Sequence, residues 1–140
     1  MNSVDYLNNT VYCRLAPSNL HGIGVIAIRD IPKGTRYTDV TNNNYWESPI
    51  FTLTEKEFSE LLPEIQSLIL DRTIFPEDDI SFISPNADCI LRSFMNHSDI
   101  PNTDGEITLR DIKAGEELTE DYFSFTKTMN PLTRKHFTNL

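Results

Sequence analysis

The sequence predicts a mainly β domain with one short helical insertion. Three observations carry that reading. Short stretches alternating apolar and polar residues recur along the chain, as half-buried strands require. Helical spacing of apolar residues is confined to one region, from Thr54 to about residue 72. No β-α-β rhythm is present, so a doubly wound parallel sheet is not expected. The 140 residues, 39% of them hydrophobic and 10% aromatic, can bury a core as one domain.

Taken in order, "VYCRL" alternates and reads as a first strand. "HGIGVIAIRDI" turns on glycine into a second, with Val25 and Ala27 on one face and Ile26 and Ile28 on the other. "IPKGTRY" supplies a turn and a third short strand. "NNNYWESP" reads as loop. Thr54 and Glu57 have the spacing of a capping box. Phe58, Leu61, Leu62, Ile65, Leu68 and Ile69 then recur at helical intervals. Pro63 interrupts them and fits as the first residue of a second helix, giving roughly 55–62 and 63–72.

"DISFIS" is another strand, and "DCILRSF" is either a helical turn or a buried run. "EITLRDI" reads as strand, "KAGEE" as turn, and "ELTEDYFSF" as a further strand or strand-like exit. A short helix is expected after Asn130-Pro131. "VIAIRDIPKGTRYTD" and "EITLRDIKAGEELTED" echo one another. Either two similar units pack about a pseudo-twofold, or two strand-turn segments are alike by chance.

Composition narrows the function. The formal net charge is -9, from 12 basic and 21 acidic residues. That argues against nucleic acid as the main partner and suits a basic peptide or protein. No segment approaches the ~20 apolar residues of a membrane helix. The N-terminus lacks the layout of a secretion signal. The expectation is a soluble intracellular protein, cytoplasmic, or in a host cell or nucleus if it is an effector or viral protein. Cys13 and Cys89 have no close Cys or His neighbours, so two buried thiols are expected rather than zinc. Gly22-Ile23-Gly24 lacks the third glycine and the following helix of a dinucleotide fingerprint. Ser98 lacks the partners of a hydrolase nucleophile.

Three stretches stand out: "HGIGV" from His21, "FMNHSDIPN" from Phe94, and "GEELTEDY" from Gly115. In this order, from about Val11 to Phe125, they resemble the SET-domain family of protein lysine methyltransferases. The resemblance implies a SET-domain β-clip of several small sheets with a C-terminal pseudoknot, the middle segment tucking beneath a loop of the last motif. It implies a single minimal domain over 1–140, with a core of about 11–125, a variable insertion of about 42–85, and a tail, 126–140, closing the site.

It also implies S-adenosylmethionine as cofactor and methyl transfer to the ε-amine of a lysine in a protein or peptide substrate. His21, Gly22, Ile23, Gly24, Asn96, His97 and Tyr122 would bind the cofactor. The glycines would let backbone approach it without a Cβ clash. Asn96 and His97 would act through backbone and the Asn amide, making His97 a positioned contact rather than a proton shuttle. Tyr122 would be catalytic. Glu120, Phe94, Tyr37, Phe123 and Phe125 would meet the substrate. No metal is implied, and a homodimer is one arrangement minimal members adopt.

The sequence also departs from the family. Glu120 occupies a place often held by Phe or Tyr. Val40 stands where a tyrosine commonly follows the turn at Gly34, with Tyr37 or Tyr45 as substitutes. Flanking cysteine clusters are missing, so Phe123, Phe125 and Phe137 would close the channel. Trp46 and Phe51 are either substrate contacts or core. Two other readings stay open: a catalytically weak or silent SET-like module that binds peptide or cofactor, and an unrelated β-clip protein.

Overall fold

The computed structural model describes residues 2–38, 50–70, 79–86 and 91–125. Helix α1 (Ser3–Thr10) begins at Asn2, whose side chain accepts from the Asp5 N–H at 2.8 Å. It buries only Val4 and Leu7 and is otherwise polar, too faint an apolar stripe to be read from periodicity. Strands β1 (Cys13–Pro17) and β2 (Ile23–Ala27) form an antiparallel hairpin. Val25 and Ala27 are buried, as the alternation predicts, while Ile26 is only partly covered.

The described part of the insertion comprises β3 (Ile50–Leu53), α2 (Glu55–Ser59), α3 (Pro63–Leu70) and β4 (Ile80–Ile83). The capping box is present, with Thr54 and Glu57 each bonding the other's backbone N–H. Pro63 opens α3, where a missing N–H costs nothing. Strand β3 was not expected. Its partner β4 lies across the helices, so no local signal marks it.

Strand β5 (Asn96–His97) pairs parallel with β6 (Glu117–Glu120), and a 3-10 turn follows over Tyr122–Phe125. The main sheet has the order β1-β2-β6-β5. Strand β6 therefore lies between the glycine turn's strand and the Asn-His segment. The tail expected to close the site, 126–140, lies outside the described residues, as do Val40, Tyr45, Trp46 and Cys89.

Two apolar clusters hold these parts. One joins Val4, Leu7 and Val11 to Leu53, Leu61, Ile65, Leu68, Ile69 and Phe82 of the insertion. The other lies against the sheet and contains Cys13, Val25, Ala27, Ile31, Tyr37, Leu91, Met95, Ile112 and Leu118. Phe51 belongs to the first, stacked between Tyr6 and Phe82 at 5.6 and 5.9 Å. It is packing rather than a substrate contact. Among the described residues no helix is long and apolar enough to cross a membrane.

The segments "IPKGTRY" and "EITLRDI" do not form full strands. They meet one another through single bridges, Ile31 to Ile112 and Arg36 to Ile107. The sequence echo is a pseudo-twofold. Ile31 and Ile112 exchange both backbone bonds, at 2.7 and 2.8 Å. Gly34 N–H donates to Thr108 O, and the equivalent Gly115 N–H to Ala27 O, both at 2.8 Å. Asp111 accepts from Lys33 N–H at 2.8 Å, and Asp30 from Ala114 N–H at 2.9 Å. Gly34 and Gly115 both have positive φ, which glycine adopts without strain.

Candidate active site

The turn between β1 and β2 is exposed at His21, Gly22 and Ile23. Gly22 has φ +49°, and an added Cβ there would meet nothing within 4 Å. Its glycine is required by the turn, and the space beside it is open. Gly24 has another reason. A Cβ there would stand 2.5 Å from Glu117 Oε2 and 3.1 Å from Asn96 Nδ2. The expected clash was with a cofactor; the space is filled instead by the chain's own carboxylate.

That carboxylate organises the joint. Glu117 Oε1 accepts from the Ser18 hydroxyl, and Oε2 from Asn96 Nδ2 at 2.8 Å. Asn96 Nδ2 also donates to His21 O at 2.9 Å. Asn96 is buried, so these bonds satisfy an amide that would otherwise be costly there. One side chain from β5 thus pins the glycine turn to β6. Asn102 closes the other side of β6, donating to Glu117 O and accepting from Thr119 N–H, each at 2.8 Å.

Tyr122 is the next part. Its hydroxyl donates to the Met95 carbonyl, one residue before Asn96. Burial raises its pKa, and the charges of Glu120 and Glu117 raise it further. The phenol is therefore neutral at physiological pH and has a proton to donate. Its backbone N–H donates to His97 Nδ1 at 3.0 Å. The His97 ring packs 5.3 Å from the Tyr122 ring and edge-on to Phe123 at 4.8 Å.

Tyr37, expected among the substrate contacts, is fully buried. Its hydroxyl lies 3.2 Å from both Met95 Sδ and Thr103 Oγ1. Burial pushes its pKa up. It supports Met95 from beneath rather than lining an open channel. Glu120 is partly buried, and its charge acts on both phenols. Its carboxylate turns toward Gly105, where an added Cβ would stand 2.9 Å from Glu120 Oε2 and 3.8 Å from Arg92 Nη2. Phe94 is exposed beside the site's chain segment. The Phe125 side chain lies outside the described residues.

The structure brings together His21 to Gly24, Asn96, His97 and Tyr122. Ser18, Met95, Asp99 and Glu117 also belong to the site, and Met95, Asp99 and Glu117 lie inside the quoted motifs without being marked by them. Nothing local in the sequence ties Ser18 to a carboxylate 99 residues away.

A Plasmodium falciparum structure, provisionally assigned as a histone methyltransferase, is 19% identical, covering 81% of this chain and 94% of that one with a TM-score of 0.38. A chain of an apo ctPRC2 assembly, whose Ezh2 carries two substitutions, is 18% identical with a TM-score of 0.42. It covers 91% of this chain and 16% of that larger one. No curated protein sequence matches. The family profile of the SET domain matches residues 22–123. That span holds the last two motifs, all of the first but His21, and both Asn96 and Glu117 of the joint, and the chain belongs to the SET-domain family.

Proposed function

We propose that the chain is an S-adenosylmethionine-dependent methyltransferase acting on a lysine ε-amine in a protein or peptide. One observation carries this reading. Met95 and Asn96 are consecutive, and they tie Tyr122 and the glycine turn into one joint, through the Met95 carbonyl and the Asn96 amide. Residues remote in sequence thereby tie a neutral phenol and an open backbone turn to the same two-residue segment.

The residues present fit the cofactor. The exposed His21–Ile23 backbone, the open space at Gly22 and the adjoining backbone of His97 would hold it. When bound, S-adenosylmethionine supplies a methyl already activated on a sulfonium. The chain's task is to present the amine. At pH 7 a free lysine is neutral in roughly one molecule in a few thousand. The charges of Glu117 and Glu120 favour arrival of the cationic form, and desolvation at the site favours loss of its proton. Tyr122 keeps its proton and donates it in a hydrogen bond to the Met95 carbonyl. Its phenolic oxygen is then left to accept from the amine N–H, which aims the nitrogen lone pair. Such positioning accounts for a large part of rate enhancement in reactions of this kind. The net charge of -9 supports a substrate lysine in a basic segment.

Glu120, where the family often has an aromatic ring, favours a second reading, a silent module that binds cofactor or peptide. Two measurements separate them. Calorimetry with S-adenosylmethionine should show binding; without it both readings fall. Methyl transfer to a mixed protein extract should be seen for the wild type and fall at least about tenfold in Tyr122→Phe. Binding without transfer leaves only the silent module.

A further inference from the structure

His97 uses both ring nitrogens inside the chain. Nε2 lies 2.8 Å from Asp99 Oδ1, and Nδ1 accepts the Tyr122 backbone N–H at 3.0 Å. A neutral imidazole has one donor and one acceptor. An ionised carboxylate only accepts, so Nε2 carries the proton and Nδ1 offers its lone pair. The Tyr122 N–H is the first donor of the turn over Tyr122–Phe125, and the first N–H groups of a helical turn have no partner within it. The next donor, Phe123 N–H, goes to Asp121 Oδ1 at 2.9 Å.

We infer that Asp99 and His97 are positioning residues for Tyr122. Asp99 selects the imidazole form whose Nδ1 holds the turn on which the phenol stands. The catalytic consequence rests on the methyltransferase reading; the relay itself does not. The groups facing the ring are Asp99 after β5, Asp121 before the turn, the tilted Tyr122 ring and the edge-on Phe123 ring. The imidazole side chain is 18% exposed, while Asp99 is 89% exposed, so protons reach the relay from solvent at its outer end.

A second proton on the ring changes the geometry at one atom. It binds Nδ1, which then points an N–H at the Tyr122 N–H. Two donors face each other, and the turn loses its acceptor. Asp121 Oδ1 stands 3.7 Å from Nδ1, too far for a hydrogen bond. It draws the imidazolium toward itself, and the imidazolium N–H then competes with the Phe123 N–H for that carboxylate. The site is therefore sensitive to imidazole protonation, separately from that of the substrate lysine.

The test begins with ¹⁵N NMR of the whole chain, which has three histidines. At neutral pH, His97 should carry its proton on Nε2 with Nδ1 bare. On acidification the Tyr122 amide signal should move in step with the imidazole. A proton on Nδ1 at neutral pH, or a Tyr122 amide indifferent to the titration, overturns the inference. Neither observation needs activity, so it stands apart from failure of the methyltransferase reading, which shows as no cofactor binding.

Rates add a second arm. The lysine alone makes kcat/KM fall about tenfold per pH unit. His97→Asn places an amide oxygen near Nδ1 and does not titrate. The wild type should lose about tenfold more than this variant across the imidazole transition; parallel profiles overturn the inference. Asp99→Ala should lower kcat about fivefold with the cofactor KM within about twofold, and Asp99→Asn, whose amide oxygen still accepts from Nε2–H, should recover most of it. A loss that appears only in the cofactor KM also overturns it.

Discussion

The segments from Val25 to Thr38 and from Glu106 to Thr119 are one scaffold used twice. Their backbone bonds, aspartate caps and positive-φ glycines correspond at a constant offset. Tyr37 and Leu118 are equivalent core positions, both fully buried. The halves differ in what is attached. Where the first has Arg36, an exposed side chain against Ile107, the second has Glu117 against Ile26, and Glu117 reaches Ser18 and Asn96. The second half also continues through β6 into the turn that carries Tyr122. Symmetry builds the frame here, and departures from it build the site.

The largest expected effect follows from that contrast. Glu117→Ala removes the carboxylate that accepts from the Ser18 hydroxyl and from one N–H of the Asn96 amide, whose bond to His21 O remains. The loss should be about 3 kcal/mol of unfolding free energy, read from urea denaturation, since orphaned polar groups cost roughly 1–3 each. A loss below about 1 kcal/mol would mean the carboxylate does not hold the joint. Gly24→Ala should cost less in the Glu117→Ala background than alone, because the Cβ clash is with that carboxylate.

Much of the frame was legible because it is local. The echo showed in Arg-Asp-Ile followed by a glycine turn, and α2 and α3 showed in Thr54, Glu57 and Pro63. What escaped was weak or non-local. Helix α1 buries only two side chains, and β3 is defined by a partner beyond two helices. The site was legible as motifs but not as bonds. Sequence alone gave Gly24 to the cofactor, although its neighbour is Glu117, and gave Tyr37 to the substrate, although it lies beneath Met95. Asp99 sits inside the Asn-His-Ser stretch, yet only the direction of the His97 ring gives it a role.

Symmetry itself can be broken next. Asp30 and Asp111 cap each other's half, so Asp30→Ala and Asp111→Ala should each cost about 1 kcal/mol and agree within about half of that. Unequal losses would confine the pseudo-twofold to shape without shared energetics.

Acid should separate the halves more gently. The Arg110 guanidinium beside Glu116 holds its carboxyl below the usual range, and the Ile107 N–H does the same for Asp104. Both belong to the second half's surroundings, and their counterparts, Thr35 and Ile23, are uncharged. A carboxyl with a depressed folded-state pKa contributes stability above its unfolded value and loses it as pH falls through the folded one. Below roughly pH 4, amide signals of Ile107 and Lys113 should therefore shift before those of Gly34. Simultaneous change would show that these carboxyls do not set the order of loosening.

The smallest effect is expected at the position that mirrors Glu117. Arg36 Nη1 lies 3.2 Å from Glu106 Oε2, and the two side chains are 39% and 44% exposed. Glu106 also has Arg92 at 3.4 Å, so it keeps a cation when Arg36 is removed. Water screens such a pair, and holding two long side chains together costs entropy. Arg36→Ala should lower stability by about 0.5 kcal/mol or less, and the difference should vanish in about 1 M salt, where exposed charges are screened within ~3 Å. A loss approaching that of Glu117→Ala would break the comparison. It would mean the scaffold responds alike at both positions, and that the bonds from Glu117 to Ser18 and Asn96 add little to what the frame already holds.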